Sequence, residues 1–375
     1  MAFKLPKYTE LTNEQKLIAG LPFEKNILVS AAPGTGKTVI AIYRAHELSD
    51  AGKKVALLVY KRTLMTYLES TVRSLGIKAT VNTWHSWLVA FYDKTLYDKN
   101  GYRLDSSDPY SYDWVRIKMD FERWGARNTY SKYDAIILDE AQDIPIELIE
   151  ALKYISKSIT CLMDPQQSIE VGGTDITDVA LALGVRTRYT LYENFRNHQE
   201  IFDLSHVYRQ DSAEPRDPVF EKPHFIKEYG YGIPFDKIKD ILRRRKNLPY
   251  IGVFVSPKQL VKTYEELEAE FPGKVFMYKT GGKFREISFD KEGISVLSYN
   301  TMKGLEFDAV ILPRFDKIDS SGDEKTDINL VYVAITRASH YFYGIYQGTE
   351  HRNGYIDVMR PFREGTADKA IARWE

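Results

Sequence analysis

The sequence predicts an α/β fold of two domains, each a parallel sheet with crossover helices, the first carrying a small helical insertion. Three observations predict it. Strand-like apolar runs alternate with helical patterns, the alternation breaks and then restarts, and a Gly-rich loop joins the first strand to a helix headed by Lys-Thr. At 375 residues the chain is long enough to bury two cores.

Strand-like runs fall at Ile27–Ser30, Val55–Tyr60, Ala79–Asn82, Ala135–Asp139, Thr160–Asp164 and Arg188–Tyr192. Helical patterns at Lys37–Ser49, Thr63–Leu75, Pro145–Ser156 and Ile176–Leu183 lie between most of them. The restart gives strands at Tyr250–Val255, Val275–Tyr278, Ile294–Tyr299, Ala309–Pro313 and His340–Tyr346, with helices at Pro257–Phe271 and Asp327–Thr336. A boundary near Glu193 follows, giving domains 1–192 and 193–375. Residues from about 87 to 133 break the alternation. They are rich in aromatics, among them Trp87, Phe91, Tyr92, Trp114, Phe121 and Trp124, and read as the helical insertion. The Pro- and charge-rich stretch Asp211–Pro223 reads as a loop, and Arg243–Lys246 as a solvated helix end.

Bulk properties narrow the class. No apolar run approaches a membrane span and no signal-peptide pattern opens the chain. Cys161 is the single cysteine, which excludes a disulfide framework and a thiolate metal site and fits a cytoplasmic home. The 52 basic and 52 acidic residues cancel, so any nucleic acid must be held by a local groove rather than by a global field.

The run Asn26-Ile27-Leu28-Val29-Ser30-Ala31-Ala32-Pro33-Gly34-Thr35-Gly36-Lys37-Thr38 has the chemistry of a phosphate cradle. Loop N–H groups and a helix N-terminus converge where unpaired donors and the helix dipole favour an anion. Gly34, Thr35 and Gly36 supply the loop, Lys37 a charge for the outer phosphates, and the Thr38 hydroxyl a ligand for Mg2+. Ala31 stands where G-x-x-x-x-G-K-[ST] has its first Gly, a substitution that strains the turn if φ there is positive. A second motif, Ile136-Ile137-Leu138-Asp139-Glu140-Ala141-Gln142-Asp143, delivers two carboxylates at a strand's C-terminal end. Hydrolysis of a phosphoanhydride needs one carboxylate to hold the metal, which suits Asp139, and one to take a proton from the attacking water, which suits Glu140.

Asp139-Glu140-Ala141-Gln142-Asp143 resembles the second motif of superfamily 1 helicases of the UvrD/Rep/PcrA type, and further motifs follow in that family's order from about Leu11 to Tyr346. Leu11–Gln15 resembles the Q-motif, whose Gln (here Gln15) reads adenine. Val59-Tyr60-Lys61 and Thr83-Trp84-His85-Ser86 resemble the strand-contacting motifs, which implies single-stranded DNA at Tyr60, Thr83, Trp84 and His85. Met163–Ile169 is similar to G-D-x-x-Q-S-I and puts Gln167 at the γ-phosphate sensor position. Glu193-Asn194-Phe195-Arg196 resembles Q-N-Y-R, implying Phe195 on the adenine and Arg196 at the γ-phosphate. Lys303–Phe307 is similar to K-G-L-E-F, implying Glu306 at the ribose, and Tyr332–Ala338 puts Arg337 at the arginine-finger position.

The resemblance implies two RecA-like P-loop NTPase domains that bind ATP and Mg2+ in the cleft between them and step 3′ to 5′ along a single strand. Four departures qualify it. The family's large second-domain insertion is missing, with only Lys283–Gly293 in its place, and the first-domain insertion is short. Glu170, Val171 and Gly172 replace an aromatic Tyr-Gly-Trp whose Trp stacks on a base. Asn300, at a strand-contacting position, replaces the usual His, and Met163 replaces Gly. Two functions are therefore expected to compete: a compact ATP-dependent translocase or helicase on single-stranded DNA (RNA remaining open), and an ATP-gated switch that controls a partner such as a nuclease without unwinding.

Overall fold

The computed structural model describes residues 5–60, 62–96, 104, 112–165, 174–209, 214–215, 220–230, 232–277, 291–299, 301–302, 304–318, 324–347 and 358–375. The chain divides into two compact units, Leu5–Tyr192 and Glu193–Glu375.

The first unit opens with helix α1 (Asn13–Ala19), then strand β1 (Ile27–Ala31), α2 (Lys37–Asp50), β2 (Val55–Val59), α3 (Arg62–Ser74) and β3 (Ala79–Thr83). It continues through α4 (Trp84–Phe91), α5 (Trp114–Arg127), β4 (Tyr133–Asp139), α6 (Ile146–Leu152), β5 (Ser156–Met163), α7 (Ile176–Leu183) and β6 (Tyr189–Leu191). The sheet order is β3-β2-β4-β5-β1-β6, and every pairing is parallel. Both faces are covered, so the strands read as apolar runs while their side chains alternate between two cores. Leu28, Ala56, Leu58, Ile136 and Leu138 face one core. Ile27, Val29, Val55, Leu57, Val59, Ala135 and Ile137 face the other, with α2 and α3.

The aromatic insertion belongs to the first of these cores. Trp87, Leu88 and Phe91 of α4 and Ile117 and Phe121 of α5 join it, with Trp87 stacked on Phe91 at 5.1 Å. The aromatics thus fill a sheet face rather than form an appendage.

The second unit begins with a two-residue parallel bridge between β7 (Glu193–Asn194) and β8 (Glu214–Pro215), with α8 (Gln199–His206) between them. There follow β9 (His224–Lys227), α9 (Phe235–Arg244), β10 (Tyr250–Val255), α10 (Leu260–Glu270), β11 (Val275–Met277), β12 (Gly293–Ser298) and β13 (Phe307–Leu312). α11 (Glu324–Ile335), β14 (Ala338–Tyr346), α12 (Arg360–Arg363) and β15 (Arg373–Trp374) complete it. The seven strands run β11-β12-β10-β13-β14-β9-β15, again all parallel. One face packs aliphatic residues of β10 and β12 against α9 and α10. Around Phe225 the packing is aromatic, with Phe315, Phe362 and Trp374 within 4.7–5.7 Å between ring centroids. Gly344 permits it, since a Cβ there would stand 2.7 Å from the Phe225 ring.

The α/β class and the parallel sheets agree with expectation, and the differences have local causes. β5 starts at Ser156, within the segment expected to end a helix, because polar Ser156 and Ser158 pair with Tyr133 and Ala135 of β4. Arg245 is not a solvated helix end. Its guanidinium lies 3.7 Å from the Tyr341 ring centroid and donates to the Tyr343 hydroxyl at 2.6 Å and to Glu221 at 2.8 Å. Arg243, its neighbour in the run, is exposed as expected and pairs with Asp240 and Glu270. Among the described residues no helix is long and apolar enough to cross a membrane.

Candidate active site

The loop between β1 and α2 has the form its glycines require. Gly34 and Gly36 sit at φ 75° and 91°, where a Cβ is disfavoured. At Gly36 a Cβ would also stand 2.6 Å from the Gln15 amide nitrogen. Ala31 brings no strain, because it is the last residue of β1, in parallel register with Leu191, and lies outside the positive-φ region. Lys37 is buried, and its ammonium donates to the carbonyls of Ala31 (2.9 Å) and Ala32 (3.1 Å) and lies 3.6 Å from an Asp164 oxygen. The Thr35 hydroxyl donates to Ala32 O at 2.8 Å, closing the turn.

Gln15 meets this loop from α1. Thr12 and Gln15 form a reciprocal cap, with Gln15 N–H donating to Thr12 Oγ1 and Thr12 N–H to Gln15 Oε1. That leaves Gln15 Nε2 to donate to Thr35 O at 3.0 Å. The start of α1 is therefore fastened to the loop. Its far end is fastened by Arg44 of α2, which is fully buried and donates to the carbonyls of Ile18, Ala19, Leu21 and Pro22 and to Thr160 Oγ1 of β5.

β4 carries the carboxylates to the same edge of the sheet. Thr38 Oγ1 donates to Asp139 Oδ2 at 2.7 Å, which joins the head of α2 to the end of β4 across 101 residues. Asp139 is 0% exposed. Burial, and then the charge of Glu140, push its pKa up to about 7, against the opposing pull of Thr38 and Lys37. A bound divalent cation favours the ionised form and would oppose that rise. Two hard oxygens at hydrogen-bond distance, one an acidic carboxylate, fit Mg2+.

Glu140 follows at φ 55°, ψ 47°, and among the described residues it is the only non-glycine at positive φ. Such a conformation costs on the order of 1–3 kcal/mol and persists where the surroundings over-determine it. Here the Glu140 N–H donates to Asp139 Oδ1 at 3.1 Å, and the Gln142 amide donates to Glu140 Oε2 at 2.6 Å.

Arg196 Nε donates to Glu306 Oε2 at 2.8 Å, so the residue expected at the γ-phosphate is paired with the one expected at the ribose. Phe195 is half-buried beside them in sequence. Arg337 is 1% exposed, and its guanidinium donates to Val333 O, Leu305 O and Thr336 Oγ1 at 3.0–3.2 Å. Asn197, which carries no motif signal, stitches the two arginine segments together. Its amide donates to Thr336 O at 3.2 Å and Ala338 O at 2.5 Å, and its Oδ1 accepts from Asn194 at 3.0 Å.

The residues expected at a nucleic-acid strand have structural partners. Trp84 is 5% exposed in the core, edge-on to His85 and tilted against Trp114, so its faces are covered by protein. Thr83 caps α4 through Ser86 N–H. His85 lies 2.6 Å from the Tyr112 hydroxyl, and burial lowers its pKa. Tyr60 is half-buried against the same core. Gln167 and Asn300 lie outside the described residues, as do Lys61, Lys303 and Glu170–Gly172. A separate cavity of about 390 Å³, lined by Lys25, Asn26, Arg186 and Tyr189 among others, includes Ile27, the first residue of β1, and is remote from the phosphate loop at that strand's other end.

Comparison with known proteins gives two family matches. Residues 15–173 match the AAA domain family, and residues 293–343 match the UvrD-like helicase C-terminal domain family. No curated protein matches the chain. Among solved structures it is similar to the C-terminal domain of a possible DNA helicase from Lactobacillus plantarum WCFS1, at 17% identity over 48% of this chain and 98% of that one, with a TM-score of 0.34. It is also similar to the PRRSV helicase, at 14% identity over 91% of this chain and 57% of that one, with a TM-score of 0.43. Helicase-type domains imply a nucleic-acid-associated, nucleotide-binding NTPase. With both on one chain in this order, and the motifs between them, the two family matches support a UvrD-like superfamily 1 helicase.

Proposed function

We propose that the protein is an ATP-dependent translocase or helicase on single-stranded DNA, moving 3′ to 5′. The observation that supports its nucleotide chemistry is the 2.7 Å hydrogen bond of Thr38 to Asp139, which brings the phosphate loop and the carboxylate pair together. Lys37 and the loop N–H groups bind the triphosphate, and Gln15 and Phe195 orient its adenine. Thr38 and Asp139 hold Mg2+, which when bound neutralises charge on the phosphates. Glu140 takes the proton of the attacking water. Arg196 and Arg337 are the second unit's groups for the charge that develops on the transferred phosphoryl.

A second function, an ATP-gated switch acting on a protein partner such as a nuclease, is favoured by one observation. Trp84, a residue expected to stack on a base, has its faces covered by the core. ATP turnover measured at low salt with no nucleic acid, with single-stranded DNA and with single-stranded RNA separates these possibilities. Stimulation by DNA, with directional displacement of a blocked 5′ end, is the expected result. Turnover indifferent to both polymers would remove the translocase and leave the switch.

A further inference from the structure

Gln142 lies two residues beyond Glu140 and is 0% exposed. Its hydrogen bonds converge on the hydrolytic site. The side-chain amide donates to Glu140 Oε2 at 2.6 Å, and Oε1 accepts the Asp164 N–H at 3.0 Å. Its backbone carbonyl accepts the Thr174 N–H at 3.0 Å. One residue thus holds the carboxylate of Glu140, the residue leaving β5, and Thr174 just ahead of α7.

A buried glutamine has both a donor and an acceptor to satisfy, and here each end is used once on a different element. The geometry has a chemical consequence. Glu140 sits in a backbone conformation that ordinary residues avoid, at the head of a single three-residue turn (Ala141–Asp143). Its side chain needs a fixed partner to keep one rotamer. Gln142 supplies that partner through a neutral amide, which orients the carboxylate without donating a full charge to it. The alternative, a lysine or arginine in this position, would form an ion pair and weaken the carboxylate as a base. The tether runs back to Asp164, whose carboxylate lies 3.6 Å from the Lys37 ammonium, so the base and the phosphate-binding lysine are referenced to the same point at the end of β5.

We propose that Gln142 is a positioning residue for ATP hydrolysis: it holds Glu140 in its working rotamer by anchoring it to the end of β5. The assignment rests on Glu140 being the base. The residue touches neither nucleotide nor metal in this role, so its removal leaves nucleotide binding intact and slows the chemical step.

The test compares Gln142→Met and Gln142→Glu with the parent and with Glu140→Gln. Methionine keeps the volume and removes both hydrogen bonds. Glutamate keeps the acceptor for Asp164 N–H but replaces the neutral amide donor with a second carboxyl group that shares one proton with Glu140, so it should also shift the pH profile of kcat; it serves should the methionine variant fail to fold. Misplacing a reacting group by about 1 Å costs on the order of 100-fold, so kcat should fall by that order while KM for ATP and affinity for a fluorescent non-hydrolysable analogue stay within about threefold. In the Glu140→Gln background the same Gln142 substitution should lower the residual single-turnover rate no further, because no base is left to place. A folded Gln142 variant with parental kcat overturns the proposal, as does an equal loss in both backgrounds, which marks a general packing role. Parental turnover by Glu140→Gln alone instead overturns the assignment of the base.

Discussion

Arg44 is the residue whose replacement has the most calculable effect. Its guanidinium is fully buried, and burial pulls its pKa down to about 10, so it remains protonated at neutral pH. It donates to Ile18 O (3.3 Å), Ala19 O (3.3 Å), Leu21 O (2.9 Å), Pro22 O (3.3 Å) and Thr160 Oγ1 (2.8 Å). Arg44→Met keeps much of the volume and removes all five hydrogen bonds. Leu21 O and Pro22 O are only partly buried, so water can replace the arginine there. Ile18 O keeps the Leu21 N–H. Ala19 O and Thr160 Oγ1 lose a buried donor, at about 1–3 kcal/mol each. Relief of the desolvated charge offsets part of this, which leaves a net loss of about 2–4 kcal/mol. For a unit of this size each kcal/mol shifts the melting temperature by roughly 2–4 °C. Thermal unfolding of the full chain, followed by far-UV circular dichroism, should show the first unit melting about 4–16 °C earlier. Because α1 also carries Gln15, the ratio of KM for GTP to KM for ATP should move towards one in the same variant. A melting temperature within about 1 °C of the parent would refute the count of buried donors.

Three other perturbations are expected to be informative. Lys37→Met should abolish ATP turnover and weaken nucleotide binding, since it removes the charge that a triphosphate would draw from Ala31 and Ala32; retention of parental binding in equilibrium titration would refute that role. Arg337→Lys should keep much of the local packing while lowering turnover by about 10³ with ATP affinity little changed. A fall in melting temperature with parental turnover would assign Arg337 to the bonds it makes with Val333 and Leu305 alone. Cys161 is buried at β5, where burial pushes its thiol pKa up, so it should be silent to an aromatic disulfide reagent in the native protein and become reactive only as the first unit unfolds. Stoichiometric reaction within minutes under native conditions would contradict that burial.

The fold is legible in the sequence wherever a strand's apolar run is flanked by turn residues. β1, β2, β4, β10 and β12 fall within a residue or two of expectation, because a parallel strand covered on both faces must be apolar along its length. The elements that composition does not announce are those whose signal is weak alone. α1 is seven residues long and its start depends on the reciprocal Thr12–Gln15 cap; β9 and β15 are short, and β15 is held at the sheet edge by pairing with a distant strand. Ser156, expected to end a helix, and the polar Lys157-Ser158 that follow it carry no apolar signal and are strand because β4 lies beside them. Tertiary pairing overrides local preference in each case.

At the site, the sequence makes the candidate reactive groups legible but not the groups that fix them. Gly34, Gly36, Lys37, Thr38, Asp139 and Glu140 announce themselves because phosphate, Mg2+ and water each demand a particular residue type at a particular spacing. Arg44, Gln142 and Asn197 serve by satisfying backbone carbonyls, an N–H and a neighbouring carboxylate, and any polar residue of suitable reach could do so in some other fold. Their roles exist only once the chain is folded, as Asn197 makes plain. Its partners Thr336 and Ala338 lie 139 and 141 positions away and flank Arg337, so the segment bearing Arg196 and the segment bearing Arg337 are one hydrogen-bonded body. Arg196 and Arg337 are therefore held on one local framework within the second unit. The same two segments are also joined without Asn197, because Arg196 binds Glu306 while Arg337 donates to Leu305 O and accepts the Phe307 N–H, so replacing Asn197 alone would leave a second set of bonds between them.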